Sequence, residues 1–378
     1  MPRTFSPPSA RNRRSCALLP PAEGSALTLP WRMPRLPKAC VVPVFLPFGG
    51  CPARCVFCAQ HEQTGQTPRQ PDAPGCVRAD VSAVLAAARL ELENRAARGL
   101  PPAETAFYGG TFTALPPAEM AACLHFVREA RSRGLVTSFR VSTRPDRVDA
   151  AVLERLRGEG CGTVELGVQS FAEHALAASR RGYGRSAALE ACACVRAAGL
   201  RLGVQLLPGM PGHSPADFAE DVRLALDAGA EMLRFYPCLV LEGTELARIW
   251  RSGGYAPWPL DVTLDALAPA WLAALEAGVP VIRMGLAPEE SLAHALLAGP
   301  VDPALGCRVM GRGLLLAVRR ALRRAQEGRP SFAVQLPVAA QGYVWGARRE
   351  LRPVWEDMGL ERIFWSREPV VRILLSGI

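Results

Sequence analysis

The chain has 378 residues, of which 49% are hydrophobic and 21% charged, so a sizeable core is expected and global disorder is excluded. No stretch of ~18 apolar residues runs without charge or proline, which excludes a spanning helix, and twelve cysteines spaced irregularly along so long a chain make no disulfide scaffold. The net charge of +9 is concentrated at the start, where Arg3, Arg11, Arg13, Arg14, Arg32, Arg35 and Lys38 face only Glu23. Lys38 is the only lysine, so the basicity tracks a general preference for arginine and does not by itself point to nucleic acid.

Residues 1–38 are rich in Pro, Arg and Ser, lack hydrophobic periodicity and read as a disordered basic extension. Arg13-Arg14 before Cys16-Ala17-Leu18-Leu19 has the outline of a twin-arginine export signal, but Pro20 and Pro21 cut the apolar run short of the ~7–15 residues such a signal needs. Translation from Met33 is the plainer expectation. The scattered thiols imply a reducing, cytoplasmic setting, and the lack of a long apolar run goes with an expectation of no membrane partner.

From residue 40 short apolar strands alternate with longer amphipathic stretches. Strands are expected at 41–46, 104–108, 137–142, 162–168, 201–206, 231–236 and 279–284, and helices at 79–98, 117–133, 148–158, 185–198, 215–228 and 261–277. Gly99, Gly134, Gly199 and Gly229 sit where helices want a left-handed C-terminal residue. This rhythm predicts an α/β fold: a parallel sheet with right-handed crossovers, closed into a partial or full (β/α) TIM-like barrel over 39–285, its chemistry at the C-terminal strand ends. Residues 286–378 read as a small C-terminal α/β appendage, with strands at 331–336 and 370–375 and helices near 313–326 and 347–358.

Directly after the first strand Cys51, Cys55 and Cys58 form C-x3-C-x2-C on one loop, with Gly49, Gly50 and Pro52 suited to a tight wrap. Thiolates are the ligands iron–sulfur clusters prefer, and three cysteines leave one iron of a cubane open. A structural zinc site is the competitor; it wants four closed ligands, and His61 is the only nearby candidate for the fourth.

The other strand ends carry further polar groups. Gly109 and Gly110 end the second strand, where paired glycines let a ligand approach backbone or simply make a tight turn. Ser142-Thr143-Arg144-Pro145-Asp146 ends the third; Ser142 and Arg144 suit a ribose and a carboxylate, and Asp146 a helix cap. Glu165 and Gln169 lie four apart on the fourth strand, hence on one face, which must be the cavity for a buried carboxylate and amide. Arg180-Arg181-Gly182-Tyr183 offers either an anion contact or a solvated face, and Gln205 ends the fifth strand.

C-x3-C-x2-C after the first strand of such a barrel resembles the radical S-adenosylmethionine (SAM) superfamily. The resemblance implies a single [4Fe-4S] cluster on Cys51, Cys55 and Cys58 whose open iron binds SAM. It also implies a low-potential electron donor such as flavodoxin or ferredoxin, and reductive cleavage of SAM to a 5′-deoxyadenosyl radical that abstracts hydrogen from a substrate. Gly109 and Gly110 resemble the glycine motif that meets the methionine amino group, Ser142, Arg144, Glu165, Gln169, Arg181 and Gln205 fall where SAM and substrate contacts are implied, and the resemblance makes Phe57 a candidate contact for adenine. Taken in order, GGTF, STRPD, ELGVQS, RGY and YPCLVLEGTEL resemble the radical-SAM barrel of the Elongator catalytic subunit family, whose substrate is the wobble uridine of tRNA.

The chain departs from that family in its shorter first cysteine gap and in Tyr183, where histidine is usual. Arg308-Val309-Met310-Gly311-Arg312-Gly313 matches an acetyl-CoA pyrophosphate signature at an expected helix start, but too few residues separate it from the last barrel strand for an acetyltransferase domain. Methylthiotransferases need cysteines beyond Cys16 and Cys40 upstream, auxiliary-cluster enzymes need company for Cys307, and coproporphyrinogen oxidases carry a cysteine where this chain has Gln60. One cluster is therefore expected, the scattered cysteines being buried apolar fillers. The rival functions are a radical SAM enzyme with a small-molecule or protein substrate, and a non-catalytic iron–sulfur RNA-binding module. Arg319, Arg320, Arg323 and Arg324 line one helix face, either solvated or on RNA phosphates. Trp345, Trp355 and Trp365 are expected in the core rather than stacked on bases.

Overall fold

A computed structural model describes residues 26–34, 40–47, 50–51, 55–59, 81–285, 290–325 and 331–375. The expectations for residues 1–25, and for Gly49, Pro52, Gln60, His61 and Cys76, lie outside them. The chain divides into two compact units, one of Met33–Gly313 and one of Met1–Arg32 with Leu314–Ile378.

The first described strand, β1 (Ala26–Pro30), corrects the reading of 1–38 as wholly unstructured: it pairs antiparallel with the chain's last strand, setting Leu27 opposite Ile373 and Leu29 opposite Val371. Leu27 and Leu29 are half-buried while Ala26, Thr28 and Pro30 are exposed, the period of a half-covered edge strand.

The larger unit holds one seven-stranded parallel sheet, in order β2 (Val41–Phe45), β3 (Ala103–Tyr108), β4 (Val136–Thr143), β5 (Cys161–Gln169), β6 (Arg201–Leu206), β7 (Met232–Phe235) and β9 (Val281–Met284). It curls into the half-barrel that the strand–helix rhythm predicts. The crossovers are α1 (Val81–Ala97), α2 (Pro117–Ser132), α3 (Ala150–Gly158), α5 (Arg185–Ala197), α6 (Pro215–Asp227) and α8 (Leu260–Glu276), each within two residues of its expected span. Two short helices were not foreseen, α4 (Glu173–Ala178) and α7 (Glu245–Arg251), nor was the small pairing of β8 (Val240–Leu241) with β10 (Leu296–Ala298) that follows a third short helix, α9 (Glu290–Ala295). The four glycines after α1, α2, α5 and α6 all take positive φ, ending each helix as expected. The cap expected of Asp146 falls to Asp149, whose side chain accepts from the Val152 amide at 2.8 Å; Asp146 instead pairs with Arg144.

Strand alternation sorts the two faces of this sheet. Phe107, Phe139, Val141, Val164, Leu166, Leu202, Val204, Leu233 and Phe235 lie on one face and are fully buried, each worth about 1.5–3 kcal/mol. Edge-on ring contacts of Phe107 with Phe139 (6.0 Å) and of Phe218 on α6 with Phe235 (5.3 Å) lock this face. The opposite parity carries Glu104, Tyr108, Arg140, Ser142, Glu165, Gln205 and Arg234. Placing polar groups there leaves the inner face of the half-barrel to hydrogen bonding rather than packing.

The parallel-sheet unit continues to Gly313, past the boundary expected at 285. β10 joins β8, and α10 (Leu305–Arg324) begins inside the unit, where a Cβ on Gly313 would lie 2.6 Å from the Trp271 ring. Because α10 starts at Leu305, Arg308–Gly313 sits within the helix and not at its N-terminus. Its amides lie inside the helical ladder, so the pyrophosphate reading has no free donors to use. Arg308 pairs with Asp302, and Arg312 lies 3.5 Å from Asp261.

The smaller unit is a four-stranded sheet, β1 with β13 (Val370–Leu375), β11 (Phe332–Pro337) and β12 (Leu360–Ser366) in the order β1-β13-β11-β12. Phe332, Val334, Leu336, Val371 and Ile373 are buried on one side. The helix expected at 347–358 is a 3-10 turn, Ala347–Arg349, followed by α11 (Arg352–Asp357). Trp355 is fully buried and donates to the Val344 carbonyl at 2.9 Å, while Trp345 and Trp365 are half-buried.

Of the scattered cysteines, Cys123, Cys161, Cys192 and Cys238 are buried, and burial pushes their thiols up to about 12. At pH 8 about one in ten thousand of such groups is thiolate, the reactive form. Iodoacetamide at that pH should label exposed Cys40 and Cys307 within minutes and spare those four until the chain is unfolded, as peptide mass spectrometry will read. Early labelling of Cys238 would show that its packing opens in the native state.

Candidate cofactor site

The cysteine loop leaves β2 and is pinned at both ends. The Leu46 amide donates to the Tyr108 carbonyl at 2.7 Å. Further on, the buried Val56 donates to the Ser179 carbonyl at 3.3 Å and accepts from the Leu246 amide at 2.7 Å. Val56 packs with Ala175, Met210, Cys238 and Leu246, and Phe57 lies partly buried against the same cluster. The loop is therefore held by the α4 and α7 segments that the sequence did not reveal.

Two of its thiols meet named partners. Cys51 Sγ lies 3.0 Å from Thr111 Oγ1, beside the paired glycines of β3. Cys55 is buried and accepts from Arg181 Nη1 at 3.0 Å, with Arg144 Nη1 at 3.7 Å. Burial pushes the Cys51 thiol up; the hydrogen bond from Thr111 and the charge of Arg144 work against it. The Cys58 amide donates to the Cys55 carbonyl at 3.1 Å, closing a turn between the second and third cysteines. Among the described residues no three His, Cys, Asp or Glu converge on a metal position, so Cys51, Cys55 and Cys58 share the loop without closing on one point.

The glycines join the loop to its neighbour. A Cβ on Gly109 (φ +97°) would lie 2.3 Å from the Leu46 carbonyl oxygen, and one on Gly50 (φ +75°) 2.4 Å from that of Thr111. Close backbone approach thus demands glycine at both positions before any ligand is considered.

Both arginines are buried and well held. Arg144 makes a two-pronged pair with Asp146 (2.8 and 3.1 Å) and donates to the Arg181 carbonyl. Arg181 donates to the Gly167 carbonyl and to the Tyr183 hydroxyl, and its guanidinium lies 5.0 Å from the Tyr183 ring centroid. Of the two readings of Arg180-Arg181, exposed Arg180 fits the solvated one and buried Arg181 does not.

Along the inner face runs an ionic network. Glu165, 1% exposed, accepts from Arg140 (3.1 Å), Arg234 (3.1 Å), Tyr108 (3.2 Å) and Gln205 (3.1 Å). Arg140 also pairs with buried Glu104, and Gln205 donates to Ser142 Oγ at 3.2 Å. Burial and the nearby Glu165 charge raise the Tyr108 hydroxyl, keeping it a donor. Ser142, Glu165 and Gln205 are thus brought together by hydrogen bonds, but Gln169 is not part of the network. The β5–β6 register shifts between Leu166 and Gln169, and Gln169 takes φ +69°, so the strand's alternation breaks before it and the shared-face expectation fails. Glu104, Tyr108, Arg140 and Arg234 were missed. The available signal was a charge or phenol at matching parity on otherwise apolar strands.

Two family models match the chain, the radical SAM superfamily over residues 45–225 and the Radical_SAM C-terminal domain over residues 230–312. The chain belongs to the radical SAM superfamily. Enzymes of this superfamily use a [4Fe-4S] cluster and SAM. The second match ends where the parallel-sheet unit ends.

The chain is 28% identical over 260 residues to a tRNA uridine(34) acetyltransferase of Dehalococcoides mccartyi, covering 59% of this chain and 55% of that one. It is 24% identical over 255 residues to Elongator complex protein 3 of Danio rerio, covering 57% and 46%. The solved archaeal Methanocaldococcus infernus Elp3 with N-terminus deletion (1-46) shares the fold at a TM-score of 0.53 and 22% identity, over 77% of this chain and 64% of that one. The chain spans from a quarter to about half the length of the curated relatives it matches.

The residue types suit the superfamily's cluster. Three cysteines follow β2 along one loop, and two buried guanidinium groups at Cys55 suit the negative charge that thiolates bring. No helix of the described residues is long and apolar enough to cross a membrane.

Proposed function

We propose that this chain is a single-cluster radical SAM enzyme that abstracts hydrogen from a base of tRNA, the wobble uridine. The observation that carries the catalytic part is the cysteine loop at the C-terminal end of β2, with Thr111 at Cys51 and two buried arginines at Cys55. When bound, the cluster supplies the one-electron cleavage of SAM. Cys51, Cys55 and Cys58 hold it, and the Gly109-Gly110 backbone meets the methionine end of SAM. Ser142 and Gln205, linked by a hydrogen bond, offer a hydroxyl and an amide oxygen toward the ribose or substrate. Phe57 contributes apolar surface for adenine. Glu165 acts by orienting Gln205, Tyr108 and Arg234 from below, since its oxygens are already occupied by donors.

The tRNA part is supported by relatives named as tRNA uridine(34) acetyltransferases, and it carries with it a cytoplasmic site of action. A low-potential donor such as flavodoxin or ferredoxin supplies the electron.

Two measurements test the two parts separately. Anaerobically reconstituted, dithionite-reduced protein given SAM should release 5′-deoxyadenosine; none above the protein-free control would refute the catalytic reading and leave the RNA-binding module. Mass spectrometry of tRNA nucleosides from a strain lacking the chain should show loss of a modified wobble uridine. An unchanged profile beside confirmed SAM cleavage would move the substrate to a small molecule or protein.

A further inference from the structure

Arg181 was expected to contact SAM or substrate. Its surroundings assign its donors elsewhere. The guanidinium is buried, and its Nε and Nη2 groups are spent on the Tyr183 hydroxyl (3.1 and 2.6 Å) and the Gly167 carbonyl. Tyr183 is itself fixed, its hydroxyl lying 3.0 Å from the Gly167 and Val168 carbonyls. Two parallel N–H groups are what a bidentate carboxylate requires, and Arg181 has no such pair left. What remains is Nη1, aimed at Cys55 Sγ from 3.0 Å. Arg144 repeats the arrangement: Asp146 takes its Nε and Nη2, and Nη1 faces the same sulfur.

We propose that Arg181, clamped by Tyr183 and Gly167 and seconded by Arg144, is a positioning residue that donates a hydrogen bond to the cluster-ligating sulfur of Cys55 and so raises the cluster's reduction potential. The proposal rests on the radical SAM reading and deepens it. Reduction adds one electron, taken from a low-potential reductant, and no bond forms or breaks. The added negative charge spreads onto the cysteine sulfurs. A charge-assisted donor there, in a site shielded from water, stabilises the reduced form more than the oxidised one. Tyr183 has the place of a residue that keeps the donor aimed, since its hydroxyl holds two of the three guanidinium nitrogens.

The test is a mediated redox titration of the reconstituted full chain, following the electron paramagnetic resonance signal of the reduced cluster, with iron per chain and SAM affinity measured alongside. Arg181→Gln should lower the equilibrium constant for one-electron reduction at least tenfold, a fall of 59 mV, with iron content kept and SAM affinity changed less than twofold. Arg181→Lys, which keeps the charge, should recover part of the loss. An Arg181→Gln chain whose potential is unmoved, or whose SAM affinity falls tenfold at unchanged potential, overturns the proposal in favour of a SAM clamp. Should that variant hold no iron, Tyr183→Phe decides: the reduction constant should fall about threefold, and an unmoved potential overturns the proposal. A wild-type chain that takes up no cluster removes the radical SAM reading itself; a cluster indifferent to both residues removes only this assignment.

Discussion

Replacing Glu165 with Ala should destabilise the chain by about 3–5 kcal/mol, the range for breaking one side of a buried ion pair. The carboxylate is 1% exposed and stands among Arg140, Arg234, Tyr108 and Gln205. Its loss leaves Arg140 with Glu104 but takes from Arg234 the only acid it pairs with among the described residues. Arg234 is mostly buried, so its charge would stay poorly solvated. The melting temperature should fall on the order of 10 °C. Glu165→Gln keeps the shape and two of the acceptor sites and should cost less. The double variant Glu165→Ala with Arg234→Met should regain part of the loss, because the stranded cation is gone. Urea unfolding followed by circular dichroism reads all three. A loss below about 1 kcal/mol for Glu165→Ala would mean that water reaches these groups and that the network is an exposed one.

How much of this network was legible in the sequence follows from its parts. All seven parallel strands were readable, because each is a short segment with one fully apolar, buried face set between amphipathic helices, several of them ended by glycine. β1 was not, since its partner lies some 340 residues away and five residues among prolines carry little periodicity. β12 hid behind Glu361 and Arg362. The cysteine triplet was legible because its ligands are local in sequence. Glu165 and Gln205 stood out singly, as polar residues where apolar ones were expected. Glu104, Arg140 and Arg234 did not, because they pair only through the strand register, which sets Ser142 beside Glu165 and Gln205 beside Arg234. That register depends on how each crossover helix packs, a property of the assembled sheet. The break at Gln169 was hidden for the same reason.

Gly109→Ala should be nearly as damaging as the loss of Glu165, for a reason unconnected to charge. The paired glycines resemble a cofactor-binding motif, yet the new methyl carbon would lie 2.3 Å from the Leu46 carbonyl oxygen, with Leu46 C and N at 3.2 and 3.3 Å. These are backbone atoms tied to the sheet by the Leu46–Tyr108 hydrogen bond, and they cannot turn aside as a flexible side chain would. Gly134 supplies the control: its φ is +68°, and nothing lies within 4 Å of its Cβ position. Gly134→Ala should therefore cost only the left-handed backbone term, about 1–2 kcal/mol. Gly109→Ala carries that term and the overpacking term as well, and about 2–5 kcal/mol is expected. The difference between the two variants in cluster-free protein isolates the close approach of the β2 and β3 loops, with no contribution from SAM. If Gly109→Ala proves as mild as Gly134→Ala, the two loops are not packed together before the cofactor arrives. The need for glycine there would then come from the ligand alone.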